Sequence, residues 1–130
     1  MATTLTRRTF LQTGAAAAGA VALSAQTEKP KRLAIICTVY RYLSHAQHMG
    51  DRFLVGYPHE GEWHKPNMQV VSLYVDQKPE GDLSGERARE FGFKVYPTIA
   101  EALRCGGTTL AVDAVLIIGE HGDYPRNELG

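Results

Sequence analysis

From Arg32 to Val39 the chain reads RLAIICTV, a short apolar run with Ile and Val that predicts a buried strand. Tyr40 to Ser44 reads as a turn. Helical spacing then appears in LSHAQHMGDRFL: Leu43, Ala46, Gly50, Phe53 and Leu54 fall on one face, and His45, His48 and Arg52 on the opposite one. GYPHEGEWHKPN is rich in Gly, Pro and Asn and reads as a loop. Met68 to Asp76, MQVVSLYVD, predicts a second strand that ends in an acid, and QKPEGDLSG another loop.

Ser84 is placed to cap a short helix, GERAREFG, which Gly92 can close. KVY is a brief third strand. Thr98 and Glu101 form a capping box at the start of TIAEALRCGG, whose stripe is Ile99, Ala102 and Leu103 and whose end is Gly106-Gly107. The last strand is AVDAVLIIG, and the polar loop EHGDYPRNELG follows it. Strands that alternate with helices and are apolar on both faces predict a Rossmann-like parallel sheet with flanking helices, an α/β fold.

The first 26 residues read differently. Arg7 and Arg8 give a positive start, and Thr13 to Leu23 is a mildly apolar stretch of mostly Ala and Gly. Small residues around Ser24 suit a signal peptidase. Arg7-Arg8-Thr9-Phe10-Leu11 resembles the twin-arginine motif, a receptor-read export address. Residues 1–26 are therefore expected to be a twin-arginine signal peptide read by the translocation machinery. Residues 27–130 then form a partial Rossmann-like domain that works in the periplasm or outside the cell.

Composition narrows the function classes. The 130 residues carry 14 basic and 14 acidic side chains, whereas nucleic-acid binding usually leaves a basic excess. No apolar stretch of about 18 residues is present, so no stable membrane span is expected. Cys37 and Cys105 stand singly, which allows one disulfide but neither a disulfide framework nor a cysteine-built zinc site. Cys37, within the first strand, reads as a small core residue.

Three segments in order, VVSLYVD, ERAREFGFKVYPTIAEAL and VDAVLIIGEHGDY, resemble the nucleotide-binding half of the glucose–fructose oxidoreductase and inositol dehydrogenase (Gfo/Idh/MocA) family. The resemblance covers Val70 to Tyr124. It implies NAD(P) as cofactor and hydride transfer to or from a sugar or polyol. Asp76 would stand as the ribose-binding acid, and Thr38, Tyr40, Glu120 and His121 would face the cofactor. It also implies a catalytic lysine strand and a substrate domain beyond Gly130, so the expectation is a fragment truncated at its carboxyl end.

The family's glycine fingerprint is missing. Between Ile36 and His48 there is no glycine, and Val39, Tyr40 and Tyr42 stand where a pyrophosphate needs close backbone approach. Asp76 lies 38 positions after Thr38, against a spacing of about 20 in dinucleotide folds. This predicts weak nicotinamide affinity.

The candidate chemistry is concentrated at strand ends. Glu120, His121 and Asp123 follow a buried strand, where ligands bind in open α/β sheets. They read as a cofactor contact, as metal ligands, or as a solvated turn. His45 and His48, three apart on one helical face, are either metal ligands or a solvated face beside Arg52. Trp63 and His64 are either a lid or simple packing. Two functions follow: a small-molecule oxidoreductase, or a non-redox protein on the same sheet. The latter is a periplasmic binding protein or a metal-dependent hydrolase using His121, Asp123 and a histidine of the first helix. Both readings bring His121 close to the segment from Thr38 to His48.

The export reading has a direct check. Replacing Arg7 and Arg8 by lysine is expected to leave the protein in the cytoplasm, as seen by cell fractionation, and unchanged export of that variant would refute it.

Overall fold

The computed structural model describes residues 28–129. The expected signal peptide lies outside the described residues. Four strands form an all-parallel sheet: β1 (Lys31–Cys37), β4 (Met68–Val75), β5 (Lys94–Tyr96) and β6 (Ala114–Ile118), in the order β5-β4-β1-β6. Three helices flank it: α1 (His45–Leu54), α2 (Ser84–Phe91) and α3 (Ile99–Arg104). The fold is a Rossmann-like α/β arrangement. The chain moves outward from β1 to β4 and β5, then crosses back to place β6 on the other side of β1. That reversal creates a topological switch point between β1 and β6, where ligands bind in open α/β sheets.

The core explains why β1 is central. Leu33, Ile35 and Cys37 point to the face covered by α1 and α2, where they meet Ala46, Leu54, Leu73, Val75 and Phe93. Ile36 points to the opposite face with Tyr96 and Ala102 of α3. At the amino end, Arg32 and Asp113 clamp β1 to β6. The Arg32 amide donates to Asp113 Oδ2 at 2.7 Å, and the Asp113 amide donates back to the Arg32 carbonyl at 2.8 Å. The Arg32 side chain continues to the Ala111 carbonyl and Cys105 Sγ. Both cysteines are free thiols. Burial pushes Cys37 up to about 12, with Asp82 and Glu120 adding to the effect, so it sits in the core as a neutral thiol.

The turn after β1 departs most from the sequence reading. Tyr40 is fully buried, and its hydroxyl donates to Asp51 Oδ1 at 2.7 Å. Asp51 Oδ2 in turn accepts from Arg87 of α2 at 2.8 Å. A Cβ on Gly50 would stand 3.1 Å from the Tyr40 hydroxyl, so glycine lets α1 lie against the ring. Ser44 caps α1 by accepting from the Gln47 amide. The helix therefore starts at His45, and Leu43 is not on its apolar face. Leu43 is exposed in a left-handed backbone, φ 62°, with its amide donating to Gln47 Oε1.

Other local differences have equally local causes. The stretch read as a loop holds a hairpin, β2 (Tyr57–His59) and β3 (Glu62–His64). Its two turn residues, Glu60 and Gly61, both have positive φ, which matches the twist of a two-residue hairpin turn. Ser84 is the first residue of α2 and gives its hydroxyl to Asp82, so it does not cap. Gly92 closes α2 in the left-handed conformation as expected. In the Thr98–Glu101 box the Thr98 oxygen accepts from the Glu101 amide, and its hydroxyl donates to the Glu101 carboxylate. Cys105 takes the left-handed cap of α3, and the glycine pair completes the ending: Gly106 is also left-handed, and the Gly106 and Gly107 amides donate to the Glu101 and Arg104 carbonyls. Ile99 is exposed. The last strand is apolar on both faces but buried on only one: Val115 and Ile117 are exposed on the α3 side.

Tyr40 offers the sharpest test of this packing. Tyr40→Phe keeps the ring but removes the donor to a charged acceptor, and an expected loss of about 1.5–3 kcal/mol follows. Tyr40→Ala should cost about 3–5 kcal/mol by leaving a cavity under Gly50. Urea denaturation of both variants measures this. A Tyr40→Phe protein as stable as the parent would show that Asp51 is adequately held by Arg87 alone.

Candidate functional site

The segment after β6 folds back over the carboxyl edge of the sheet and ties three elements together. At its start, the Glu120 amide donates to Thr38 Oγ1 at 3.0 Å. The Glu120 carboxylate reaches the amino end of α1, where Oε2 accepts from the His45 amide at 3.1 Å. Oε1 lies 3.2 Å from His45 Nδ1. α1 has no acidic residue in its own first turn. A carboxylate from another strand end thus supplies the negative charge that a helix amino terminus favours, worth about 0.3–1 kcal/mol.

Further along, Asp123 and Gln77 make a two-point clamp. The Asp123 amide donates to Gln77 Oε1 at 2.8 Å, and Gln77 Nε2 donates to the Asp123 carbonyl at 3.1 Å. The Tyr124 hydroxyl then donates to Asp76 Oδ2 at 2.6 Å, while the Tyr74 hydroxyl donates to Asp76 Oδ1 at 2.7 Å. The bond from Tyr124, and after it that from Tyr74, holds the Asp76 carboxyl below the usual carboxylate range. Gly122 makes the path possible. A Cβ there would come within 2.5 Å of the Tyr124 ring, 2.8 Å of the Thr38 methyl and 2.9 Å of Gln77 Oε1. The close-approach glycine of this edge follows β6 rather than β1.

Two shallow clefts flank this strap. One, of about 560 Å³, is lined by His45, Met49, Ile117, Gly119, Glu120 and His121. The other, of about 290 Å³, is lined by Ile36, Thr38, Tyr74, Asp76, Ile99 and Tyr124. His121 thus lies beside His45 at the same edge as Thr38 and Asp76, as parallel strands require.

Not every candidate converges. Tyr40 points into the core and does not line the edge. His48 lines a different cleft on α1. Asp123 takes part through its backbone. Among the described residues no three His, Cys, Asp or Glu side chains group as metal ligands. Sequence reasoning missed Tyr74, Gln77 and Gly122. For Tyr74 a signal existed: it stands two residues before Asp76, on the same side of the strand. Gln77 and Gly122 act through a contact between distant segments that no local pattern marks.

A dinucleotide fits this edge poorly. A pyrophosphate needs free amides at the first helix amino terminus. Here the His45 amide is bound to Glu120, that of Gln47 to Ser44 Oγ, and that of His48 to the Ser44 carbonyl. The Thr38, Asp76 and Gln77 amides are spent on backbone carbonyls. Val39 and Tyr40 fill the space beneath the turn.

Comparison with family models, with curated proteins and with solved structures gives no match.

The strap carries a titration signature. Because Asp76 is depressed in the folded chain, its stabilisation is present at neutral pH and lost as pH falls through the carboxylate range. Tyr124→Phe should raise the Asp76 midpoint toward the ordinary value, as read by carboxyl carbon NMR. Gly122→Ala should do the same by displacing Tyr124. An unmoved midpoint in Tyr124→Phe would mean that Tyr74 alone sets it.

Proposed function

We propose that this protein is an exported small-molecule-binding protein of Rossmann-like fold, related to the sugar and polyol oxidoreductases that its Val70–Tyr124 segment resembles. Its ligand is a compound bearing adjacent hydroxyl groups, held at the carboxyl edge of the sheet. The observation that carries this reading is the state of Asp76. Its two carboxylate oxygens each accept from a separate hydroxyl, Tyr74 on one and Tyr124 on the other. A vicinal diol presents the same pair of donors to a carboxylate at the end of this strand.

The position supports the reading as well. Asp76 ends β4 next to β1, beside the switch point, and an apolar wall of Ile36, Ile99 and Ile117 faces it. A sugar or polyol ring offers both the hydroxyl edge and the apolar face that such a wall accepts. The ligand would take the place of the Tyr124 hydroxyl, so binding and release of the strap are linked. Of the two activities expected from the sequence, binding without redox chemistry is the better supported. The His45, Gln47 and His48 amides at the start of α1, which a pyrophosphate would call on, are already bonded within the chain.

Isotope-edited NMR of the full chain with D-glucose, myo-inositol, NAD and NADP as probes tests this. At least one polyol should shift the Asp76, Gln77 and Tyr124 resonances saturably. Asp76→Asn should weaken it about tenfold or more, since hydrogen bonds to a charged group are lost. The nicotinamide nucleotides should bind weakly. Tight NAD or NADP binding at the α1 amino end would restore the hydride-transfer reading, and polyols that leave the edge unmoved would remove the proposed ligand class.

A further inference from the structure

A separate cleft of about 500 Å³ lies between the exposed face of α1 and the β2–β3 hairpin. Its volume is within the range of small-molecule pockets, about 300–1,000 Å³. One wall is Tyr42 and Leu43, the other Tyr57 and Pro58, and His48 and Arg52 of α1 form the floor.

Both walls are pinned. Ser44 Oγ accepts from the Arg41 amide and the Ser44 amide donates to the Arg41 carbonyl, closing a turn that holds Tyr42 and Leu43 outward. Tyr42 is 70 % exposed and Leu43 62 %. Leu43 pays for this with a left-handed backbone, which costs a non-glycine residue about 1–2 kcal/mol. On the other side, Trp63 Nε1 donates to the Val55 carbonyl. Gly56 lets the hairpin close, because a Cβ there would meet the His64 carbonyl at 2.5 Å. Tyr42 and Leu43 therefore stand in solvent at fixed positions, while the Tyr57 ring opposite is partly buried, with His64 stacked on it at 6.0 Å between ring centres.

The floor is electrostatically uneven. Asp51 also borders the cleft, but both of its oxygens are used, by Tyr40 and by Arg87, and the Arg87 guanidinium offsets its charge. Arg52 has no carboxylate partner among the described residues. Its guanidinium lies 5.8 Å from the centre of the Tyr57 ring, which holds the cation by its face and leaves its N–H fork open. His48, one helical turn earlier, is exposed on the same side.

We propose that this cleft binds a small organic anion with an aromatic or alicyclic body. The carboxylate would take the Arg52 fork as a bidentate pair, and the ring would lie against Tyr42 and Leu43. The site is distinct from the carboxyl edge of the sheet and does not depend on the reading given for it.

Benzoate is the probe, with benzamide as its neutral isostere and inorganic phosphate as an anion without a ring. Binding to the full chain is followed by NMR of the Tyr42, Arg52 and Tyr57 signals and by fluorescence of Trp63, the one tryptophan. Benzoate should produce saturable shifts, and benzamide and phosphate should not. Arg52→Gln should weaken benzoate at least about tenfold, while Arg52→Lys should recover only part of it. Tyr42→Ala should also weaken benzoate, and because Tyr42 is exposed this variant is expected to fold. Equal binding of benzamide would show that the cation plays no part, and equal shifts from phosphate would show the same of the walls. Either result, an absent response to benzoate, or full affinity in the folded Tyr42→Ala variant overturns the proposal.

Discussion

The structure depends on a buried phenol. Tyr40 follows directly after the central strand, where a nucleotide-binding sheet would turn on glycine, and its ring fills the space between β1, α1 and α2. Burying a hydroxyl without a partner costs about 1–3 kcal/mol. Asp51 supplies the acceptor, and Arg87 of α2 then compensates the carboxylate. One side chain thereby sets the position of both helices on this face. Gly50 is the complementary concession, since a larger residue in α1 would press on the ring.

The same packing decides what the carboxyl edge can do. With Tyr40 turned inward, the segment after β1 presents its Thr38 hydroxyl and the capped start of α1 rather than a cradle of amides. The segment after β6 occupies what remains. Glu120 neutralises the helix amino terminus, and Tyr124 satisfies Asp76. Gly122 gives this segment its room, because a Cβ there would press on Tyr124, Thr38 and Gln77 and at least one of these side chains would have to shift.

β6 shows the limits of reading burial from composition. Its residues are apolar on both sides, as in a doubly covered parallel strand. Yet α3 is short and lies over β1, β4 and β5, so Val115 and Ile117 remain exposed. The apolar pattern specifies a strand able to be covered; where the helix actually lies decides whether it is.

Local pattern alone determined the α/β class, the parallel strands and most element positions, because periodicity and caps act over a few residues. Ser44, Gly92 and Thr98 stand where such short-range rules apply, and parallel connectivity by itself brought Thr38, Asp76, Glu120 and His121 to one edge. Tertiary structure decided the rest. Whether Tyr40 faced a ligand or the core depended on Asp51, Arg87 and Gly50 meeting it from two helices. Whether Asp76 stood free depended on Tyr124, 48 positions away. Leu43 is a local case by contrast: the Ser44 cap and the Gln47 side chain, one and four residues on, keep it out of the helix. For Tyr40 and Asp76 the deciding contacts join separate elements, with Arg87 and Tyr124 distant in sequence, and they are reached only when the chain is folded, so no local pattern of apolar and polar residues encodes them.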